Sequence, residues 1–238
     1  MSLPRVLIAA LAILPAMAGL SPALAQAYQC QVPSGPIILP QVRVDGDRVL
    51  RPARSFTLAV SWSPEFCRSN RDASSLQCSG KAGRFGFVVH GLWPEGGDGP
   101  APQWCAPVPQ PSPETVRRNL CMTPVPWLIA HEWAKHGSCI APTADDYYRT
   151  TKMLWDRLNW PDADALSRRP GLTVGSLRDA IQAANPALRR DAIGVLLSDN
   201  GWLRELRICY SRTWRPQPCD RRAFGPPDSA ALKIWRGL

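Results

Sequence analysis

The chain has 238 residues, is 45% hydrophobic and 20% charged, and carries a formal net charge of +9. That balance excludes a disordered chain and suits one domain with a full hydrophobic core. The basic excess favours a polyanionic partner, nucleic acid or an anionic membrane, and fits a merely soluble basic protein equally well.

Residues 1–25 read MSLPRVLIAALAILPAMAGLSPALA: one Arg, an apolar stretch, then Ala23-Leu24-Ala25. This is the pattern of a cleaved secretory signal peptide. Pro15 and Gly19 interrupt the apolar run, which argues against a membrane anchor. Loss of Arg5 leaves the remaining chain at +8, one less than +9. No second long apolar segment follows, so the mature protein is expected to be soluble, free of the membrane, and periplasmic or extracellular. Residues 26–238 are expected to form a single domain, with 26–53, rich in Pro, as an extended N-terminal arm. All eight cysteines follow the signal, an even number in an exported chain, which predicts four disulfides. Their irregular spacing, without C-x-x-C pairs, speaks against a structural zinc site. Eight cysteines allow many pairings, and spacing selects none.

SFTLAVSW (55–62) is rich in β-formers and predicts a strand. It runs into Pro64 and a short loop closed by Cys67 and Cys78. RFGFVVHGLWP predicts a second strand, ending near His90 where Gly91 and Pro94 interrupt it. Residues 96–113 are rich in Gly and Pro and read as a long surface loop, a common home of function. Ser112-Pro113 starts a helix, VPWLIAHEWAKHG predicts one from about Pro126 to His136, and Thr143 with Asp146 caps another running to about Asn159. GSLRDAIQAAN is a shorter helix. Asp199-Asn200-Gly201 between two apolar runs predicts a hairpin, and ALKIWRGL a last strand. Helices and strands mix without regular βαβ alternation. The expected class is α+β, a central, mostly antiparallel sheet flanked by helices.

The three histidines, His90, His131 and His136, fall in two segments, FVVHGLWPE and HEWAKHGSC. Histidine suits acid–base work near neutral pH. On a helix with His131 at 0°, Lys135 falls at roughly 40°, Glu132 at roughly 100° and His136 at roughly 140°. The four ionisable groups share a face, while Trp133 and Ala134 point away. A solvated charged face would look the same. A zinc hydrolase would need its histidines at i and i+4; here they stand at i and i+5, with Lys135 in the ligand position repelling a cation. No G-x-S-x-G nucleophile elbow occurs. Metal-free cleavage of RNA fits best: one histidine removes the 2′-OH proton, another protonates the leaving 5′-oxygen, and Lys135 with the third histidine offsets the developing charge. Trp93 could stack on a base or simply pack in the core.

The two segments resemble the active-site motifs of the T2-type ribonucleases, secreted acid endoribonucleases. FTLAVSWSPEFC and LRELRICYS are similar to further core strands of that family. The resemblance implies cleavage of single-stranded RNA with little base preference, through a 2′,3′-cyclic phosphate, with no metal or other cofactor. By motif position it implies His136 as general base, His90 as general acid, Glu132 and Lys135 as transition-state stabilisers and His131 as phosphate ligand. It implies base contacts at Trp93 and Glu95. Ser138 and Ser61 depart from the usual pattern, Ser61 where plant members often have Gln near the base site. The family's disulfides imply Cys105–Cys139, Cys209–Cys219 and Cys67–Cys78, leaving Cys30 with Cys121. A monomer acting on RNA is expected. The alternative is a non-catalytic RNA- or envelope-binding protein on the same fold.

Overall fold

The computed structural model describes residues 27–28, 30–70 and 75–237. The signal-peptide reading of residues 1–25 lies outside them. The elements in chain order are β1 (Ala27–Tyr28), β2 (Ser55–Trp62), α1 (Ser63–Ser69), β3 (Arg84–Phe85), β4 (Phe87–Glu95), α2 (Pro113–Asn119) and α3 (Pro126–Lys135). They continue with α4 (Ala144–Asp156), α5 (Ala163–Ser167), α6 (Val174–Ala184), β5 (Ile193–Leu197), β6 (Leu203–Ser211) and α7 (Arg221–Phe224). Four strands form one antiparallel sheet in the order β4-β2-β6-β5. This is the α+β arrangement the sequence predicts.

The period-2 alternation of β2 explains the sheet's two faces. Phe56, Leu58, Val60 and Trp62 are buried and join the main core with Val116, Ile129, Trp133 and Tyr147 from the helices. Burial of each such side chain contributes about 1.5–3 kcal/mol. The other face of β2 offers only Ser55, Thr57, Ala59 and Ser61. That row of small side chains leaves the space in which the site is built.

Four disulfides close the described chain: Cys30–Cys121, Cys67–Cys78, Cys105–Cys139 and Cys209–Cys219. The last three match the pairing implied by the resemblance, and Cys30–Cys121 is the pair left over. Each is of a kind that contributes about 2–4 kcal/mol. Cys105–Cys139 ties the Gly- and Pro-rich loop to the end of α3, and the backbone amide of Trp104 donates to the Lys135 carbonyl at 2.7 Å.

Several elements differ from the sequence reading. The loop after Pro64 is the helix α1, which has Pro in its first turn, where its missing N–H costs nothing. ALKIWRGL forms isolated bridges rather than a strand: Ala231 pairs with Thr173, and Lys233 with Trp202. The strand through His90 does not stop at Gly91 and Pro94; β4 continues to Glu95. It is an edge strand, where a proline need not break the ladder. The hairpin at Asp199-Asn200-Gly201 joins β5 to β6.

The register of β4 on β2 holds the decisive irregularity. Val89 pairs with Val60 and Gly91 with Ala59, so His90 is an extra, unpaired residue. A bulge of this kind shifts side-chain phase by one. Before it, Phe87 and Val89 point into the core opposite Trp62 and Val60. Without it, Trp93 would follow them inward. With it, Leu92 takes the core position opposite Leu58, and Trp93 and Glu95 fall opposite Thr57 and Ser55, on the open face.

Candidate active site

His90 projects from the bulge beside Glu205 of β6. Its Nδ1 lies 2.9 Å from Glu205 Oε2, and its Nε2 lies 3.7 Å from Glu132 Oε1. Glu205 reaches His90 because the strand between them, β2, contributes only Ala59 and Ser61 on that face; Ser61 is the register partner of Glu205. Arg207, two residues along β6, donates to Glu205 Oε1 at 2.9 Å.

The helix α3 supplies the other half. Pro126 opens it, Lys135 sits in its last turn, and His136 is the C-cap. A cation there suits the negative end of the helix dipole. Gly137 follows, and a Cβ on it would lie 2.5 Å from Trp133 and 2.9 Å from Tyr147. Glycine therefore lets the end of α3 lie flat on Tyr147, whose hydroxyl binds Leu92 of β4 through both its backbone groups. Helix and edge strand are locked together at the site.

Trp93 stands between the halves. Its indole Nε1 donates to Glu132 Oε2 at 2.7 Å. Its ring meets His90 edge-on at 5.0 Å and His136 at 5.7 Å. The Arg207 guanidinium lies 5.1 Å from the ring centre. A Cβ at Gly91 would lie 2.0 Å from Glu132 Oε2; this glycine makes room for the carboxyl.

The face expected of α3 divides. Glu132 points to His90 and Trp93. His131 and Lys135 point to Asp45 of the N-terminal arm: Lys135 Nζ donates to Asp45 Oδ1 at 2.9 Å, and His131 Nε2 lies 3.8 Å from Oδ2. His131 stacks on Trp127 at 4.8 Å and meets Trp104 edge-on at 5.6 Å. Trp133 faces away, as expected, with its Nε1 bonded to the Pro109 carbonyl at 3.0 Å. Glu95 is half-buried and accepts a 2.6 Å bond from the Thr57 hydroxyl. Beside His90 and Trp93 lies a cleft of about 400 Å³, bordered by Ser61, Phe66, Asn70 and Arg204.

The histidines titrate in opposite directions. Burial works against a charge on His90, yet the Glu205 hydrogen bond and the Glu132 and Glu205 charges outweigh it and raise its pKa above 6.5. Burial and the nearby Lys135, His131 and His90 drive His136 down to about 3. Its Nδ1 is buried without a hydrogen-bond partner among the described residues. Burial, with the charges of Lys135 and His90, also lowers His131 against the pull of Asp45. Burial pushes Glu132 up to about 7, opposed by His90 and the Trp93 bond. Glu205 resists its own burial and stays low through His90 and Arg207. At mildly acidic pH the site holds a charged imidazole and a neutral one on either side of one tryptophan.

The model of the Ribonuclease T2 family matches residues 53–184. The chain belongs to the ribonuclease T2 family. It is 31% identical to a probable ribonuclease of Haemophilus influenzae over 74% of its own length and 65% of that protein, so it spans just under two thirds of that relative. It is 29% identical to a ribonuclease of Aeromonas hydrophila, covering 66% of this chain and 71% of the relative. Among solved structures it shares its fold with an RNase-related protein from Calystegia sepium, at a TM-score of 0.62 and 24% identity over 79% of this chain and all of that one.

Sequence reasoning missed four parts of this T2-family site: Glu205, Arg207, Asp45 and the tryptophan pair around His131. Glu205 left a faint signal. It is an acid on the same side of β6 as Cys209, which is buried, and a buried carboxylate asks for a partner. Nothing in the sequence names His90 as that partner. Asp45 left none, because its contact crosses 90 residues of chain.

Proposed function

We propose that this chain is an exported endoribonuclease that cleaves single-stranded RNA without a metal. The observation that carries the reading is the placing of His90 and His136 on either side of Trp93, His90 against Glu205 and Glu132 and His136 beside Lys135. His136, neutral, takes the proton from a ribose 2′-OH. The 2′-oxygen attacks phosphorus, and the bond to the 5′-oxygen breaks as His90, charged, donates its proton there. The product ends in a 2′,3′-cyclic phosphate. Hydrolysis then runs the roles in reverse, with water replacing the 5′-hydroxyl.

Lys135 and His131 hold the phosphate and offset the charge that builds on its oxygens. Glu132 stabilises the same charge by holding the His90 proton and the Trp93 ring in place. Asp45 now occupies the position of that anion, so productive binding exchanges its carboxylate for the phosphate. Little base preference is proposed, with Ser61 bordering the cleft and with Trp93 and Glu95 as base contacts. The reading extends to one domain over residues 26–238, a monomer, and export to the periplasm or the medium, which four disulfides favour.

The test is digestion of RNA and DNA in excess chelator by the parent and by His90→Ala and His136→Ala variants, with end-group analysis. RNA cut to cyclic phosphate ends by the parent alone is the expected result. Metal-dependent cutting, or full activity in both variants, overturns the reading. RNA binding without cleavage by the parent would leave the non-catalytic alternative.

A further inference from the structure

A second cleft, of about 520 Å³, lies against the C-terminal segment. Trp202 and Trp235 border it, their rings edge to face at 5.3 Å. Arg169, Lys233 and Arg236 border it too, and no carboxylate does. All three of these cations are exposed. The Lys233 ammonium hangs 4.9 Å from the Trp202 ring centre, and the Arg68 guanidinium stands 5.5 Å from Trp202 and 5.2 Å from Trp235. Both of the Glu65 carboxylate oxygens accept from Arg68, at 2.9 and 2.8 Å, so its charge is already answered.

Two elements, α1 and the β5–β6 turn, neighbour both this cleft and the one at His90. Arg68 belongs to α1, whose Glu65, Phe66, Ser69 and Asn70 wall the His90 cleft. Trp202 sits in the turn between β5 and β6, whose Ser198 and Arg204 wall that same cleft. Hydrogen bonds tie these elements to one another and to the C-terminal segment. Ser198 donates its amide to the Trp202 carbonyl at 2.8 Å, Leu203 donates to Lys233 at 2.8 Å, and the Trp62 indole donates to the Trp235 carbonyl at 2.9 Å.

Anchoring of the C-terminal segment accounts for the Trp62 bond and for Arg68. It does not account for three exposed cations around indole rings with no acid among them. Indole faces that accept any base, beside cations that follow the phosphates, are how proteins hold single-stranded nucleic acid without reading sequence. Lys233, on a flexible stem, can leave the Trp202 face for a phosphate while a base takes its place.

We propose that Trp202, Trp235, Arg169, Lys233 and Arg236 form a further nucleotide subsite, which holds single-stranded RNA as it runs off the His90 cleft. The proposal rests on the ribonuclease reading. It makes the enzyme prefer long substrates over short ones, since a dinucleotide spans only the scissile bond.

The experiment compares kcat/KM on an RNA octanucleotide with kcat/KM on a dinucleoside monophosphate. Trp202→Ala with Trp235→Ala is expected to lower the octanucleotide-to-dinucleotide ratio about tenfold, the effect of one lost base stack. Lys233→Gln with Arg236→Gln, at exposed positions that do not threaten folding, is expected to lower it several-fold and to flatten its salt dependence. Arg149→Gln with Lys152→Gln on α4 removes equal charge elsewhere and is expected to leave the ratio alone. A ratio unchanged in the Lys233/Arg236 variant, or lowered equally by the α4 control, overturns the proposal. A parent enzyme inactive on both substrates overturns the ribonuclease reading instead.

Discussion

His90 and His136 touch the same tryptophan, yet their surroundings are opposite. His90 stands on a strand between two carboxylates, and its ring is about a third exposed, at 35%. His136 closes a helix beside Lys135, half-buried, where no carboxylate among the described residues bonds it. The strand half of the site holds a proton; the helix half repels one. The lesson is that a residue type does not set its own role. The same imidazole becomes an acid or a base according to which charges the fold places around it.

The hardest blow to this contrast is removal of either ring. His90→Ala and His136→Ala are each expected to cut kcat by about 10²–10⁴, and the double variant to lose little more, since the two act as a unit. Single-turnover cleavage of a labelled RNA measures this; full additivity would show that they work separately. Next comes the packing between the halves. Gly91→Ala places a methyl against Glu132 and is expected to cost about 1–3 kcal/mol of stability, read from the denaturation midpoint. An unchanged midpoint would mean that Glu132 is free to move.

Charge substitutions sharpen the contrast more gently. The proposed mechanism needs His136 neutral and His90 charged, so kcat/KM should fall as pH drops toward about 3 and again as pH rises through the raised pKa of His90. Glu205→Gln removes one of the groups that raise it. The alkaline limb is then expected to move to lower pH while the acid limb stays. Movement of the acid limb instead would assign the acid to the helix. The smallest effect is expected at Asp45→Asn. Its carboxylate is 58% exposed, and an exposed ion pair is worth about 0.2–1 kcal/mol. KM should therefore fall by no more than about fivefold with kcat unchanged, as steady-state kinetics would show. A loss of kcat would make Asp45 a positioning group for Lys135.

Much of the fold could be read in the chain because its signals are local. The alternation of β2, the capped starts of α2 and α4 and the Asp-Asn-Gly turn each depend on a few neighbouring residues. So does the grouping of His131, Glu132, Lys135 and His136, which helical periodicity alone puts on one side. The continuation of β4 past Gly91 was not legible, because an edge position protects Pro94 and the sequence does not say which strand is at the edge. The bulge at His90 was hidden too, since register is a property of two strands.

By itself, then, the sequence determined the chemical parts: three histidines in two motifs, a lysine where a zinc ligand would stand, and an even set of cysteines. Only the tertiary structure decided how those parts are charged. The proton on His90 depends on Glu205 reaching across a strand that carries Ala59 and Ser61. The neutrality of His136 depends on burial and on Lys135. Solvation and Coulomb energies follow distance in space, and distance in space is what folding adds to the order of residues in the chain.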